Sequence, residues 1–383
     1  MKKTSLFFLL FLFWGILPRH AAAAAPGGAP ANLSWANEVY EIFSDSPPTA
    51  AGAAKIADDT VKQTLADEIG MKLRALDAQG LLPFKLRTES AGYETTAARE
   101  QVMGLIALIA DESVSARSYT IGGQDYTKEF VFCGLDLMIC SASKTDGSVR
   151  ILYTVPLRGY GIARAEGRSV GIEARRAEFV RVAKTLLQDL SFAQKKGRVF
   201  TVDELDLRSL GESYQVKDIL LSAKAAELFG GAGGKIKELL AGVFTSAYQK
   251  TTGRTVFPPA LGGNWKKDAA TGLWSTEVAG GMGRRKLTMP EAENPITLEV
   301  SGIAWKDISR SENTALVNMV YRAWMKKSPV ETGEKAELDK HILHNYARFN
   351  MDEARDDIFM ELLTTLATDL GSQKSSGQGK RKG

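Results

Sequence analysis

LDLMICSASKTDGSVRILY, residues 135–153, can be written directly above IAWKDISRSENTALVNMVY, residues 303–321, without a gap. Gly134 then stands over Gly302, Ser141 over Ser309, Ser143 over Ser311, Val149 over Val317 and Tyr153 over Tyr321. In the first stretch Asp146-Gly147 separates two β-rich runs, EFVFCGLDLMICSASK and VRILYTVPL, a strong local hairpin signal. A helical pattern follows each hairpin. EARRAEFVRVAKTLLQDL (173–190) lies over EARDDIFMELLTTLATDL (353–370) with eight identities in eighteen, including Phe179 with Phe359 and Leu186 with Leu366. Chance rarely gives that many, although shared helical patterning raises the count. The second copy carries extra residues, 327–350, between hairpin and helix.

Upstream the match weakens but keeps its order. Residues Thr95 to Asp111, with Met103, Leu105, Ile106, Leu108 and Ile109 nearly all round, predict a buried helix, and SARSYTI a strand. These correspond to the helical KIKELLAGVFTSAYQ and to TGRTVFP. The expected fold class is therefore α/β (α+β), with two tandem units that each run helix, strand, β-hairpin, helix. The first unit spans 81–192, opening on the strand-like LLPFKLR, and the second spans 235–370. An amino-terminal helical segment, 32–80, precedes them. It holds a short helical pattern at SWANEVYEIF and a long amphipathic one with Ile56, Val61, Leu65, Ile69, Leu73 and Leu76 at helical spacing, ending at Gly80.

Between the units, 193–234 reads as a helical connector that ends in GGAGG, with YQVKDILLSAKAAELF already helical. GGAGGKIKELL resembles a phosphate-binding loop only superficially. Phe229 stands where a Walker A motif needs its first glycine, and Ile236 where it needs the Ser or Thr for magnesium. A helix terminator and hinge is the preferred reading, with Lys235 solvated and no nucleotide bound.

The chain opens with Lys2 and Lys3, an apolar run from Ser5 to Leu17, and the small residues Ala21 to Ala25. That is the layout of a secretory signal peptide over 1–24, and the run is short for a membrane span, which takes about 20 residues. No cysteine follows the cleavage region, so the expectation is a periplasmic protein that is not a lipoprotein, with no transmembrane span in the mature chain. Removing Lys2, Lys3 and Arg19 from the 49 basic residues leaves 46 against 45 acidic ones. The tail 371–383 adds four basic residues and no acid, and reads as disordered. A body this nearly neutral argues against a nucleic-acid-binding face.

Few residues invite chemistry. Past the signal segment only His341 and His344 remain, in DKHILHNY. Spaced three apart they could share a helix face with Asp339 as a weak metal site, but the segment falls in the insert and reads as a solvated polar loop. No G-x-S-x-G elbow is present. Cys133 and Cys140, seven apart on one strand, point to opposite faces roughly 23 Å apart, so two packed thiols are expected. No cofactor or metal is implied. The longest unusual stretch, 258–286, contains five glycines before Gly283, together with Trp265, Trp274, Arg284 and Arg285. Those four residues are the candidate binding surface; the competing reading makes TGLWSTEV a further hairpin whose tryptophans fill the core.

The pattern ITLEVSGIAWKDI, ALVNMVYRAWMKK, DEARDDIFMELLTTLATDL resembles the hairpin-then-helix units of small periplasmic α/β domains. Such domains occur in the amino-terminal part of TolB, the curli-secretion lipoproteins and the auxiliary lipoproteins of envelope transporters. The resemblance covers roughly 95–190 and 235–370 and rests on element order and hydrophobic pattern, so it carries over no functional residue. It implies a non-catalytic binding or assembly protein of the cell envelope with a protein partner. The alternative is an exported hydrolase working through carboxylates, which requires acids such as Asp136, Glu173 and Glu353 to converge.

Overall fold

The computed structural model describes residues 32–34, 56–82, 85–87, 101–143, 149–167, 169–192, 213–252, 254–259, 261, 266–280, 283–328, 335–345 and 350–372. The signal segment, most of SWANEVYEIF and the end of the tail lie outside them.

The amino-terminal part contributes β1 (Asn32–Ser34), α1 (Asp59–Ala78) and β2 (Lys85–Arg87), with β1 and β2 paired in parallel. Helix α1 is capped by Asp58, whose carboxylate accepts from the Val61 amide at 2.9 Å. Its Val61, Leu65, Ile69, Leu73 and Leu76 are all buried, as their spacing requires. Then come β3 (Gln101–Asp111), β4 (Val114–Ile121), β5 (Gln124–Ser143), β6 (Val149–Glu166) and α2 (Ile172–Gln188). The second half holds β7 (Ser213–Leu221), α3 (Ala223–Phe229), a 3-10 turn at Gly230–Ala232, and α4 (Gly233–Thr252). It continues through β8 (Thr255–Val256), β9 (Lys266–Lys267), β10 (Trp274–Gly280), β11 (Gly283–Met289), β12 (Asn294–Ser311), β13 (Leu316–Ser328), β14 (Lys335–Asn345) and α5 (Met351–Ser372).

These elements stack in four layers. A seven-stranded sheet runs β3-β5-β6-β11-β10-β9, with β4 paired beside β5, and a five-stranded sheet runs β14-β13-β12-β7-β8. Strand β5 shows how the layers meet. Val131, Cys133, Leu135, Leu137 and Ile139 join the cluster built with α1 and α2. The alternate residues Phe130 and Phe132 join a second cluster with α4, α5 and the five-stranded sheet. Met138 and Cys140 enter a third, with Phe257, Leu287 and Met289. The order is thus α1/α2, large sheet, α4/α5, small sheet. The two cysteines are free and sit in different clusters on opposite faces of β5.

Mixed α and β content agrees with the sequence reading, but several elements do not. Residues 101–111 form strand β3, paired from Gln101 opposite Ser143 to Asp111 opposite Gly134, where the sequence predicts a helix. A short apolar run covered on two sides loses the alternation that would mark it as a strand. Residues 213–221 of the supposed helical connector form β7, which runs parallel to β12. The insert expected as a loop contains β14, zipped antiparallel to β13 from Leu316 opposite Asn345 to Lys326 opposite Lys335. Gly371, read as the start of the tail, lies inside α5, where an added Cβ would stand 2.6 Å from the Phe244 carbonyl.

The expected tandem repeat of whole units is therefore not borne out; the two halves share a hairpin with a helix later in the chain. Between 114 and 190 the order is β4, β5, β6, α2; between 254 and 370 it is β8 through β14 and then α5. The hairpins do begin alike. Ser141 opposite Arg150 and Ala142 opposite Val149 match Ser309 opposite Asn318 and Arg310 opposite Val317. Register then breaks on opposite strands, around Leu152 of β6 in the first and Ile308 of β12 in the second. Tyr153 ends opposite Ile139, whereas Tyr321 ends opposite Trp305, two places from the position the alignment demands. Gly134 lies in ladder opposite Arg158, while Gly302 sits at a further irregularity with φ +64°, against the Trp324 ring.

Candidate functional site

The side of the molecule left open by this stacking is the small sheet. Its inward residues Ile296, Leu298, Val300, Val317, Tyr321, Ala323 and Met325 pack on the helices, so alternate positions face out. From Ala304 to Thr314 the chain is exposed at nearly every position. Ile308, at the register break of β12, is 52% exposed, and Leu343 of β14 is 63% exposed. Strand β14 is an edge, so one side of its backbone has no strand partner among the described residues. Its charges are partly engaged: Arg322 grips Asp339 through two hydrogen bonds of 2.7 and 2.6 Å, and Lys340 pairs with Glu361 of α5.

Beneath the exposed end lies a polar pair. The Tyr321 hydroxyl, fully buried, is 3.0 Å from Nε2 of His344, itself only 7% exposed. Burial lowers the His344 pKa and pushes the Tyr321 phenol up to about 12. Phe359 packs edge-on against Tyr321 and against Trp305, and the Trp305 ring carries Lys224 at 4.4 Å and Arg355 at 4.7 Å. DKHILHNY is thus strand over 339–345 and not a solvated loop. Adjacent strand positions turn His341 outward and His344 inward on alternate parity, Ala336, Leu338, Ile342 and His344 sharing the inner face. That period of two was the signal that sequence reading overlooked.

The four residues singled out in 258–286 are not gathered into one place. Trp265 lies outside the described residues. Trp274 opens β10 and packs against the third apolar cluster, and its indole Nε1 has no acceptor among the described residues. Arg284 and Arg285 stand opposite Ala279 and Val278, at the other end of the β10–β11 hairpin. Four strand positions, about 13 Å, separate Trp274 from Val278.

The three acids also stay apart. Asp136 pairs with Arg158 at 2.7 Å, Glu173 with Arg176 at 2.7 Å, and Glu353 with Arg164 at 3.1 Å. A different ionic group forms where α4 crosses the large sheet. Lys235 is 3.1 Å from Glu238 and 3.5 Å from Asp111, so it is engaged rather than solvated. Burial raises the Glu238 carboxyl above its ordinary value, and Arg158 is held protonated chiefly by Asp136 against the cost of its burial. Helix α4 approaches this closely because Gly242 faces Arg158; a Cβ there would fall 2.0 Å from the arginine Cγ. Among the described residues no three His, Cys, Asp or Glu side chains converge as a metal site requires.

No described helix is long and apolar enough to cross a membrane. No family model matches the chain. Comparison with curated proteins likewise finds no match.

Proposed function

We propose that this is an exported, periplasmic protein that acts without catalysis, as a binding or assembly component of the cell envelope. The observation that carries the reading is the edge strand β14, with Leu343 exposed on it, beside an exposed hairpin end bearing Ile308. An edge of this kind binds an extended segment of another protein by adding a strand, with backbone hydrogen bonds giving affinity and alternate side chains giving selectivity. The separate pairing of Asp136, Glu173 and Glu353 favours this over a carboxylate-dependent hydrolase. Of the stretch 258–286, the end of β10–β11 with Arg284 and Arg285 is a second contact surface in this reading, since Trp274 packs against the third apolar cluster.

Site-specific photo-crosslinking in intact cells tests it. A photoreactive residue at Leu343 should give a discrete adduct with one envelope protein, and Ile342→Pro in the same strand should abolish that adduct. The same probe at Met71, 51% exposed on α1, should give none. Equal labelling from Met71 and Leu343, or none from Leu343, overturns the reading. Mass spectrometry of the mature protein should place its amino terminus between Ala22 and Pro26; an intact Met1 on membrane-bound protein would instead indicate an anchor.

A further inference from the structure

Edge strand β14 holds one buried polar side chain, His344, in contact with the fully buried Tyr321 of the neighbouring strand. A hydrogen bond to a phenol suits a neutral imidazole, which offers one donor and one acceptor. An imidazolium in the same place would need an acid, and no carboxylate hydrogen-bonds to His344 among the described residues. The charged groups around the pair are accounted for element by element. On β14, Asp339 is held by Arg322 and Lys340 by Glu361. From α5, Arg355 acts on Tyr321 and is paired with Asp352. From β12, Asp307 acts on Tyr321 and is paired with Arg310, whose strand position lies opposite Val317, the residue that also faces His344.

We propose that β14 is a proton-operated cover strand, in which protonation of His344 drives its ring into water and releases the strand from β13. The inference holds whether or not the strand's outer edge takes a partner. An edge strand can leave by breaking one ladder, so its opening is cheap compared with any central strand. Burial lowers the histidine pKa, so the closed strand refuses a proton that the open strand accepts. Below about pH 6.5 the open state then gains up to about tenfold per pH unit. Two perturbed carboxyls oppose this sign: Glu238 and Asp356 are both raised by burial, and groups of that kind make the folded state more stable toward acid. Asp339 of β14, held low by Arg322, and Glu178, Asp268 and Glu291 share the sign of His344, but they lose their stability only as pH falls below the ordinary carboxylate range.

The test is hydrogen exchange of the full chain at pH 7.5 and 5.5, corrected for intrinsic rates, with an NMR titration of the two histidines. Protection over 336–344 should fall about tenfold at the lower pH while α2 keeps its protection. His344→Gln, which retains a polar partner for Tyr321, and His344→Phe should both remove the pH dependence; His341→Gln should retain it. A His344 pKa at or above the ordinary value overturns the proposal. So does an unchanged β14, an equal loss in α2, or the same pH response in the His344 variants.

Discussion

The hairpins β5–β6 and β12–β13 start from matched sequences and the same register at their tips, yet they occupy opposite environments. Hairpin β5–β6 is covered on two faces: α1 and α2 take Leu135, Leu137 and Tyr153, while the α4/α5 layer takes Phe130, Phe132 and Ile162. Hairpin β12–β13 is covered on one face only, and its far end is exposed. The difference is visible in what each tolerates. The inner hairpin buries even its ions, Arg158 with Asp136, whereas the outer one carries Arg322 at its surface, paired with Asp339 of β14. Burial on two sides makes a strand pair a structural spine; burial on one side leaves a sheet free to recognise something.

Truncations should break the symmetry most. Leu137→Ala in β5, a fully buried site, should cost about 2–5 kcal/mol in urea unfolding. Val320→Ala on β13, partly exposed, should cost under about 1 kcal/mol. Equal costs would erase the distinction between spine and surface.

Charge deletions come next. Asp136→Asn leaves Arg158 buried with its closest anion gone and should destabilise by about 3–5 kcal/mol. Asp339→Asn should leave the thermal midpoint unchanged within error, because its pair with Arg322 is solvated. A large loss from Asp339→Asn would mean that the outer sheet is covered in the free protein.

Much of this architecture is legible in the sequence. Helices α1, α2 and α5 declare themselves through apolar spacing, and β5–β6 through its Asp-Gly turn signal. Two-sided burial removed the signal from β3, whose Leu105, Ile106, Ala107 and Leu108 read as a helix. Charge removed it from β14, where Lys335, Glu337, Asp339 and Lys340 mask the inward row of Ala336, Leu338, Ile342 and His344. The register breaks around Leu152 and Ile308 have no sequence marker, so the alignment promised a tandem repeat that the element order does not bear out. The edge at β14 proposed for binding was disguised in the sequence by its polar residues.

The glycine stretch offers a smaller test, on the link between the halves. Gly230 has φ +50°, so Gly230→Ala should cost about 1–2 kcal/mol, whereas Gly234 lies in α4 with open space around it. Gly234→Ala should be neutral or stabilising by up to about 1 kcal/mol. The pH effect at Glu238 is smaller still. Its raised carboxyl gives stability that is present below its unfolded pKa and lost as pH rises through the folded one, so Glu238→Gln should flatten stability against pH on the acid side of neutral.

Native-state hydrogen exchange at pH 7.5, read strand by strand, tests the contrast most directly. Amides of β5 and β6 should exchange only through global unfolding, while those of β14 should exchange at least about 100-fold faster through local opening. Protection in β14 equal to that in β5 would contradict the account, because the small sheet would then be a second spine and its edge would not be open for recognition.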